Sequence, residues 1–502
     1  MSELLGANTD VLDRGAESLN VDARRVQDIR TLAQRAVAEL QASWVGSDLL
    51  HLTQLWEQQA SPLLAGATTT LDTCAAQLRA QSAAQRRTSS AEGGSPAGLV
   101  APGSAPPLTP APTLPPKRGS PGDNATWWRS LSPQQQHGVI SEHPDWIGNR
   151  DGVASSARNL ANRAMLIGHR DRIRAERERV AAGLADQFTG GPPIHGAVAV
   201  SHIMAKLASL DDSQASLTAI STTLAQPGER QLLLLDLGQE RAQAAIANGN
   251  IDTADNVAVF VPGLGTNVTD RMQDYDKEMS QLKHRSELES KRVSPDLPPA
   301  TTATVTWIGY QAPQFGPDLV TPGKSVTTQH LAEGGAAKLA PFLQGIGAAR
   351  NDDAHLTLLG HSYGSTTAGL ALQQSTGVDD AVFFGSPGLG TSHVQNLKLA
   401  PGHAYYVEAR WDGVGDLGAF GTDPSHMSGI EHASARASTV VDPVTGETMH
   451  YTAVTGHAAY LHDGSTSQYN MSVVVAGVPD RRVIGREAGV GDLFSWPVPG
   501  TY

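Results

Sequence analysis

The chain has 502 residues, enough for two or three domains and for a hydrophobic core of ordinary size. Its 37 Lys and Arg face 50 Asp and Glu, giving a formal net charge of −13 and no basic stripe, which argues against nucleic acid as a partner. The single cysteine, Cys74, excludes an intramolecular disulfide.

The N-terminal segment MSELLGANTDVLDRGAESL carries acidic residues where a signal peptide is positively charged, and it has no continuous apolar core. No later stretch approaches the length of apolar sequence that spans a bilayer, so we expect no transmembrane helix. These features predict a cytoplasmic protein, or one exported without a cleavable signal peptide.

Apolar residues recur at intervals of seven in two series near the N-terminus. The first series is Leu5, Leu12, Leu19, Val26, Ala33 and Leu40, and the second is Leu64, Leu71 and Leu78. This spacing predicts one helix to about residue 41 and a second that closes near residue 84, with a kink at Pro62. Between them, the segment SWVGSD contains the sequence Trp44-Val45-Gly46.

Two helices of this length joined by a Trp-x-Gly turn resemble the WXG-type helical hairpins of type VII secretion systems. The resemblance covers residues 1–86 and implies export by that route or docking on a second protein. The Tyr-x-x-x-Asp/Glu export signal that often follows the second helix of such proteins has no match here. A hairpin that serves only for dimerisation or docking is the alternative, so we expect a protein partner to bind residues 1–86.

The remaining chain divides by composition. Residues 87–124 are rich in proline, glycine and serine and predict a solvated linker. Residues 125–250 are predicted to be mainly helical, ending in QAAIANGN, with one short strand at 231–238. In residues 251–502, short apolar runs alternate with helical stretches up to a last strand, MHYTAVTG, which predicts a mostly parallel sheet covered by helices on both faces.

The pentapeptide Gly-His-Ser-Tyr-Gly at 360–364 has the G-x-S-x-G pattern of a nucleophile elbow. The pattern alone is a weak signal in a chain with 51 glycines. Its context is more specific, because the apolar strand 356–359 precedes it and small, helix-tolerant residues follow it. We therefore predict that Ser362 is a nucleophile.

Acyl transfer also requires two backbone N–H groups that bind the developing oxyanion. The residue after the nucleophile, Tyr363, supplies one of them. The Gly-rich loop in VFVPGLGTN follows an upstream strand and is predicted to supply the other, with Leu264 preferred and Gly265 second. A tight structural turn is the alternative explanation of this loop.

The acid and the base are expected after the serine, at the carboxyl ends of later strands. The loop GSPGLGTSHVQN contains no carboxylate, whereas the strand HAYYVEAR leads directly to Asp412, with Asp416 as the alternative acid. His457 follows the last predicted strand and is the preferred base, with His462 second. The other histidines after the acid lie before that predicted strand or at its beginning, away from the expected site: His426, His432 and His450.

Several linked segments resemble an actinobacterial α/β-hydrolase family of mostly unassigned substrate, among them WWRSLSPQQQHGVISEHPDWIGNRDG, GHSYGS, WDGVGDLGAFGTDPS and GHAAYLHDGSTSQYN. The resemblance spans about residues 125–480 and implies the α/β-hydrolase fold with a helical N-terminal extension. It also implies Ser362 as nucleophile, His457 as base and an acid near residue 412.

We therefore expect a serine hydrolase that cleaves a small-molecule carboxylic ester through a Ser-His-Asp triad and an acyl-enzyme. This chemistry requires no metal or organic cofactor. The alternative is a type VII secretion-associated interaction or effector protein with a vestigial hydrolase domain.

Overall fold

The computed structural model describes residues 112–186, 196–315, 323–412, 414 and 419–485, and scattered residues between 13 and 83. The chain divides into two compact units, residues 1–107 and 108–502. In the first unit almost every described residue is helical, and Arg30 donates a 3.0 Å hydrogen bond to Ser61. The Trp-x-Gly turn and residues 84–111 lie outside the described residues, so the hairpin and most of the linker stay predictions.

The second unit begins with helices. They are α1 (Pro121–Ser130), α2 (Pro133–Glu142), α3 (Pro144–Ile147), α4 (Ser155–Asp186) and α5 (Gly196–Leu224). Helices α1 and α2 share one start signal, because Ser120 and Ser132 each cap the helix with their hydroxyl and a proline opens the first turn. Helix α1 thus begins inside the segment predicted as linker.

Neither of the two longest helices, α4 and α5, has the apolar length that a bilayer-spanning segment needs, and the same holds for every other helix in the described part of the chain.

Two strands follow, β1 (Arg230–Asp236) and β2 (Gln243–Asn248), paired antiparallel. Strand β1 agrees with the strand predicted at 231–238. The helix predicted for QAAIAN is wrong, since this segment is β2. All six of its residues are buried within the sheet, and this burial overrides the weak strand propensity of alanine.

The rest of the second unit alternates strands and helices. The elements are β3 (Asn256–Val261), α6 (Val268–Val293), β4 (Thr302–Ile308), α7 (His330–Ala349), β5 (His355–His361), α8 (Tyr363–Leu372), β6 (Asp380–Phe384), β7 (Ala404–Glu408), β8 (Glu431–Ser434), β9 (Ser438–Val441), β10 (Thr448–Tyr451) and α9 (Thr466–Val475). The main sheet has the order β1-β2-β4-β3-β5-β6-β7-β8. Only the pairs β1–β2 and β2–β4 are antiparallel.

Both faces of this sheet are buried. On β3, Val257 and Val259 point to the side covered by α7 and α8, whereas Ala258 and Phe260 point to the side covered by α6 and α9. This arrangement explains the continuous apolar runs of the central strands, because neither face meets water. The predicted α/β-hydrolase architecture, a mostly parallel sheet flanked by helices, is confirmed.

The prediction of the last strand was wrong. The final strand of the main sheet is β8, with the sequence EHAS, which includes His432. The segment MHY belongs to β10, which pairs only with β9 in a separate two-stranded sheet. Hydropathy could not identify β8, since three of its four residues are polar. The chain returns to the main sheet at a parallel bridge between Arg410 and Thr455.

At the amino ends of β5 and β6, two histidines share one buried carboxylate. Asp380 is 2% exposed and accepts hydrogen bonds from His355 and His403, each 2.7 Å long. The other ring nitrogen of His355 faces the carbonyl of Val475 at 3.3 Å, so both of its partners are acceptors. Burial lowers the pKa of His355, but the hydrogen bond and charge of Asp380 raise it above its usual value.

The variant Asp380→Asn tests this cluster. A histidine pKa raised by folding stabilises the protein fully below the unfolded pKa of about 6.5, and this stabilisation is lost as pH rises through the folded value. We expect the variant to lose roughly 1–3 kcal/mol of unfolding free energy at pH 6 and less at pH 8. Urea unfolding at both pH values measures the difference, with the exposed Asp353→Asn as control. Equal losses at the two pH values would contradict the assignment.

Candidate active site

Ser362 forms the whole connection between β5 and α8. Its φ of 55° and ψ of −134° make it one of three non-glycine residues with positive φ in the described part of the chain. Such a conformation costs on the order of 1–3 kcal/mol and persists only where the surroundings enforce it. One restraint is the Ser362 N–H, which donates to the carbonyl of Phe384 at 3.1 Å.

Glycines around Ser362 let three backbone segments meet. A Cβ on Gly364 would lie 2.2 Å from the carbonyl oxygen of Val261, and one on Gly263 would lie 2.8 Å from Cβ of Ser362. A Cβ on Gly360 would lie 2.8 Å from Cα of Ser365. The loop after β3 therefore packs directly on the turn that carries Ser362.

The three predicted oxyanion donors differ in their hydrogen bonds. The N–H of Gly265 donates to the carbonyl of Pro313 at 2.8 Å, so this second candidate is already occupied. The N–H of Leu264 has no acceptor among the described residues, and the N–H of Tyr363 opens α8, where no helical acceptor exists. The arrangement leaves the Leu264 and Tyr363 amides available beside Ser362.

Asp412 and His457 form a direct pair. The Nδ1 of His457 lies 2.8 and 3.0 Å from the two carboxylate oxygens of Asp412, whose side chain is fully buried. Burial raises the pKa of Asp412, but hydrogen bonds from His457 and Tyr460 lower it below its usual value, so the carboxylate stays ionised at neutral pH. An ionised Asp412 accepts a hydrogen bond from Nδ1–H of His457 and so holds the tautomer in which the lone pair is on Nε2.

Neither the alternative acid nor the second candidate base is seen in the Asp412–His457 pair. Asp416, the alternative acid, lies outside the described residues. His462, the second candidate base, is exposed on the loop after His457, and it is His457 that contacts the carboxylate.

Gly385, for which the sequence predicts no role, adjoins the Asp412–His457 pair. It follows Phe384, which accepts the Ser362 N–H, and its φ is 55°. A Cβ at this position would lie 2.7 Å from an oxygen of Asp412 and 3.1 Å from Nδ1 of His457. The loop after β6 supplies no carboxylate, and its first glycine gives Asp412 and His457 the space they occupy.

Tyr460 was also missed. Its hydroxyl donates a 2.6 Å hydrogen bond to Asp412 and accepts the Ala409 N–H at 2.9 Å. It thus fixes the carboxylate to the end of β7. No local pattern marks this tyrosine, because its partner lies 48 residues away in the chain.

Two large rings are exposed next to these groups. Phe315 is 71% exposed and packs against Gly265, since a Cβ there would lie 2.5 Å from its ring. Trp411 directly precedes Asp412, is 60% exposed, and carries the guanidinium of Arg410 at 4.7 Å from its ring centroid. These rings can contact an apolar part of a ligand.

Residues 238–422 match a family model described as alpha/beta hydrolase, a range that contains Ser362 and Asp412 and ends before His457. An uncharacterized protein of Mycobacterium tuberculosis is 34% identical over 244 residues, which cover 47% of this chain and 88% of the relative. A second uncharacterized protein of that organism is 30% identical over 435 residues, which cover 80% of this chain and 62% of the relative. The solved hyperthermophilic esterase of Pyrobaculum calidifontis is 12% identical, with a TM-score of 0.30, and covers 54% of this chain and 92% of its own.

Tyr460→Phe should destabilise the protein because it removes the hydroxyl that donates to the buried, ionised carboxylate of Asp412. We expect a loss of roughly 1.5–3 kcal/mol in unfolding free energy at pH 7. Tyr406 provides the matched control, since it is equally buried and its hydroxyl has no hydrogen-bond partner among the residues that the structure describes. Tyr406→Phe should be neutral or stabilising. Denaturant unfolding compares the two variants, and equal effects would show that the contact with Asp412 adds no stability.

Proposed function

The chain belongs to the alpha/beta hydrolase family, and we propose that it is a serine hydrolase that cleaves carboxylic esters. The observation that carries the proposal is the hydrogen-bonded pair of buried Asp412 and partly exposed His457. This pair adjoins Gly385, the residue after the one that accepts the N–H of the strained Ser362. The free amides of Leu264 and Tyr363 beside the serine add to it.

In the proposed reaction, Nε2 of His457 takes the Ser362 proton as Oγ attacks the ester carbonyl carbon. Asp412 holds the ring by its Nδ1 proton and stabilises the imidazolium that forms. The Leu264 and Tyr363 amides bind the oxyanion, where each donor typically contributes about 3 kcal/mol. His457 then protonates the leaving alcohol, and water, activated by the same histidine, releases the acid from Ser362.

The exposed rings of Phe315 and Trp411 support an ester with an apolar acyl or alcohol group. Both adjoin residues assigned to the chemistry, since Phe315 contacts the loop of Leu264 and Trp411 precedes Asp412. Apolar contact with these rings would stabilise a substrate by about 25 cal/mol for each Å² of buried surface. The preferred substrate is therefore a small ester with an alkyl or aryl group.

Residues 1–107 form a compact unit of their own. We propose that this unit docks a protein partner, as the resemblance to WXG-type hairpins implies. Such a role coexists with catalysis, or replaces it if the hydrolase domain is vestigial. Ester hydrolysis that depends on Ser362 would distinguish a docking unit on an active enzyme from a docking unit on a vestigial hydrolase domain.

Hydrolysis of p-nitrophenyl esters of increasing acyl length tests the proposal. Ser362→Ala should lower kcat by at least about 10³-fold while the protein remains folded, because it removes the nucleophile. Asp412→Asn should lower kcat by about 10³- to 10⁴-fold, with Asp416→Asn close to wild type. Wild-type turnover that survives Ser362→Ala would overturn the assignment. A large loss in Asp416→Asn with none in Asp412→Asn would move the acid.

A further inference from the structure

His361, the residue before Ser362, makes one hydrogen bond that crosses the site. Its Nε2 lies 2.8 Å from the backbone carbonyl oxygen of His457, 96 residues away in the chain. Its ring stacks on Phe384, with centroids 5.1 Å apart, and lies 4.8 Å from the ring of His457. The imidazole is therefore packed on both sides and bound at one nitrogen.

The protonation of His361 follows from this contact. A carbonyl oxygen only accepts hydrogen bonds, so Nε2 carries the proton and donates it. Burial, together with the nearby His457, lowers the pKa of His361 to about 4. His361 is thus an uncharged donor at neutral pH, and it adds no second positive charge beside the imidazolium that the proposed reaction forms.

We propose that His361 is a positioning residue that sets the distance between the nucleophile and the base, an inference that rests on the proposed function. His361 is covalently joined to Ser362 and hydrogen-bonded to His457, so a single contact connects the two reacting groups. The N–H of Gly456 donates to the carbonyl of Arg410 at 2.9 Å, and this hydrogen bond joins the loop to the segment that carries Asp412 rather than to the segment that carries Ser362.

The need for this contact comes from the backbone around His457. Gly456 has a φ of 71°, and nothing lies within 4 Å of the place where its Cβ would be, so packing at Gly456 does not restrain the loop. An error of about 1 Å in the approach of base to nucleophile can cost about 10²-fold in rate. The His361 hydrogen bond supplies a restraint between this loop and the segment that carries Ser362.

Two substitutions separate the hydrogen bond from the packing. His361→Gln places an amide N–H close to the position of Nε2, whereas His361→Phe keeps an aromatic ring between Phe384 and His457 and removes the donor. A cavity of about 470 Å³ lies beside His361, between α6 and the loop that contains Tyr460, and gives the altered side chains room. His361→Asn, whose amide is too short to reach the carbonyl, serves as a second donor-deficient variant if the phenylalanine variant does not fold.

The readout is inactivation by a fluorophosphonate probe, measured as a function of probe concentration. Oγ of Ser362 forms a bond to phosphorus, fluoride leaves, and His457 takes the serine proton, so the rate depends on the approach of base to nucleophile. We expect the maximal inactivation rate of His361→Phe to fall about 10- to 100-fold, with a half-saturating probe concentration within about twofold of wild type. His361→Gln should recover to within about fivefold of wild type.

The outcomes separate the two proposals. If wild type is not labelled, or if Ser362→Ala is labelled equally, the proposed function fails and the role of His361 fails with it. If wild type is labelled at Ser362 and folded His361→Phe reacts at the wild-type rate, only the positioning role is overturned. The same holds if folded His361→Gln is as slow as His361→Phe, since the restored donor then has no effect.

Discussion

The left-handed backbone of Ser362 is the constraint on which the site depends. A φ of 55° is unfavourable for a residue with a side chain, and it is enforced by the abrupt change from β5 to α8 and by the hydrogen bond to Phe384. The chain turns so tightly at Ser362 that the residues packed around this turn must be small. The close contacts of Gly263 and Gly364 are the result, and they bring the Leu264 loop against the serine.

The same turn organises the other side of the site. Phe384 accepts the Ser362 N–H, the next residue, Gly385, makes room for Asp412 and His457, and the ring of Phe384 supports His361. The end of β6 thus contributes no reacting group, yet it contacts all three candidate residues or their supports. Parallel strands make this possible because their carboxyl ends lie at one edge of the sheet.

The sequence predicted what depends on local chemistry. The glycines around Ser362 and the strand before it identify the turn, and the absence of carboxylates after β6 directs attention to Asp412. The residues that hold the candidate site in place were not predicted, because each contacts a residue that is distant in the sequence. His361, for example, contacts His457, which is 96 residues away. Neither hydrophobic periodicity nor a local motif indicates a contact between residues so far apart in the sequence.

Errors in the strands have a similar origin. Alanine-rich β2 lacks the β-branched residues that identify a strand, and polar β8 lacks an apolar run, so both owe their conformation to their neighbours in the sheet. His457 contacts Asp412 although the last strand was predicted wrongly, since the Gly-preceded loop returns to the end of β7 through the bridge between Arg410 and Thr455. The N-terminal hairpin and Asp416 lie outside the described residues and stay predictions.

The most direct measurement is peptide mapping by mass spectrometry after treatment of the full chain with a fluorophosphonate. We expect a single covalent adduct, located on the peptide that contains Ser362 and absent after prior heat denaturation. An adduct on another serine, or a folded chain that takes up none, would contradict it.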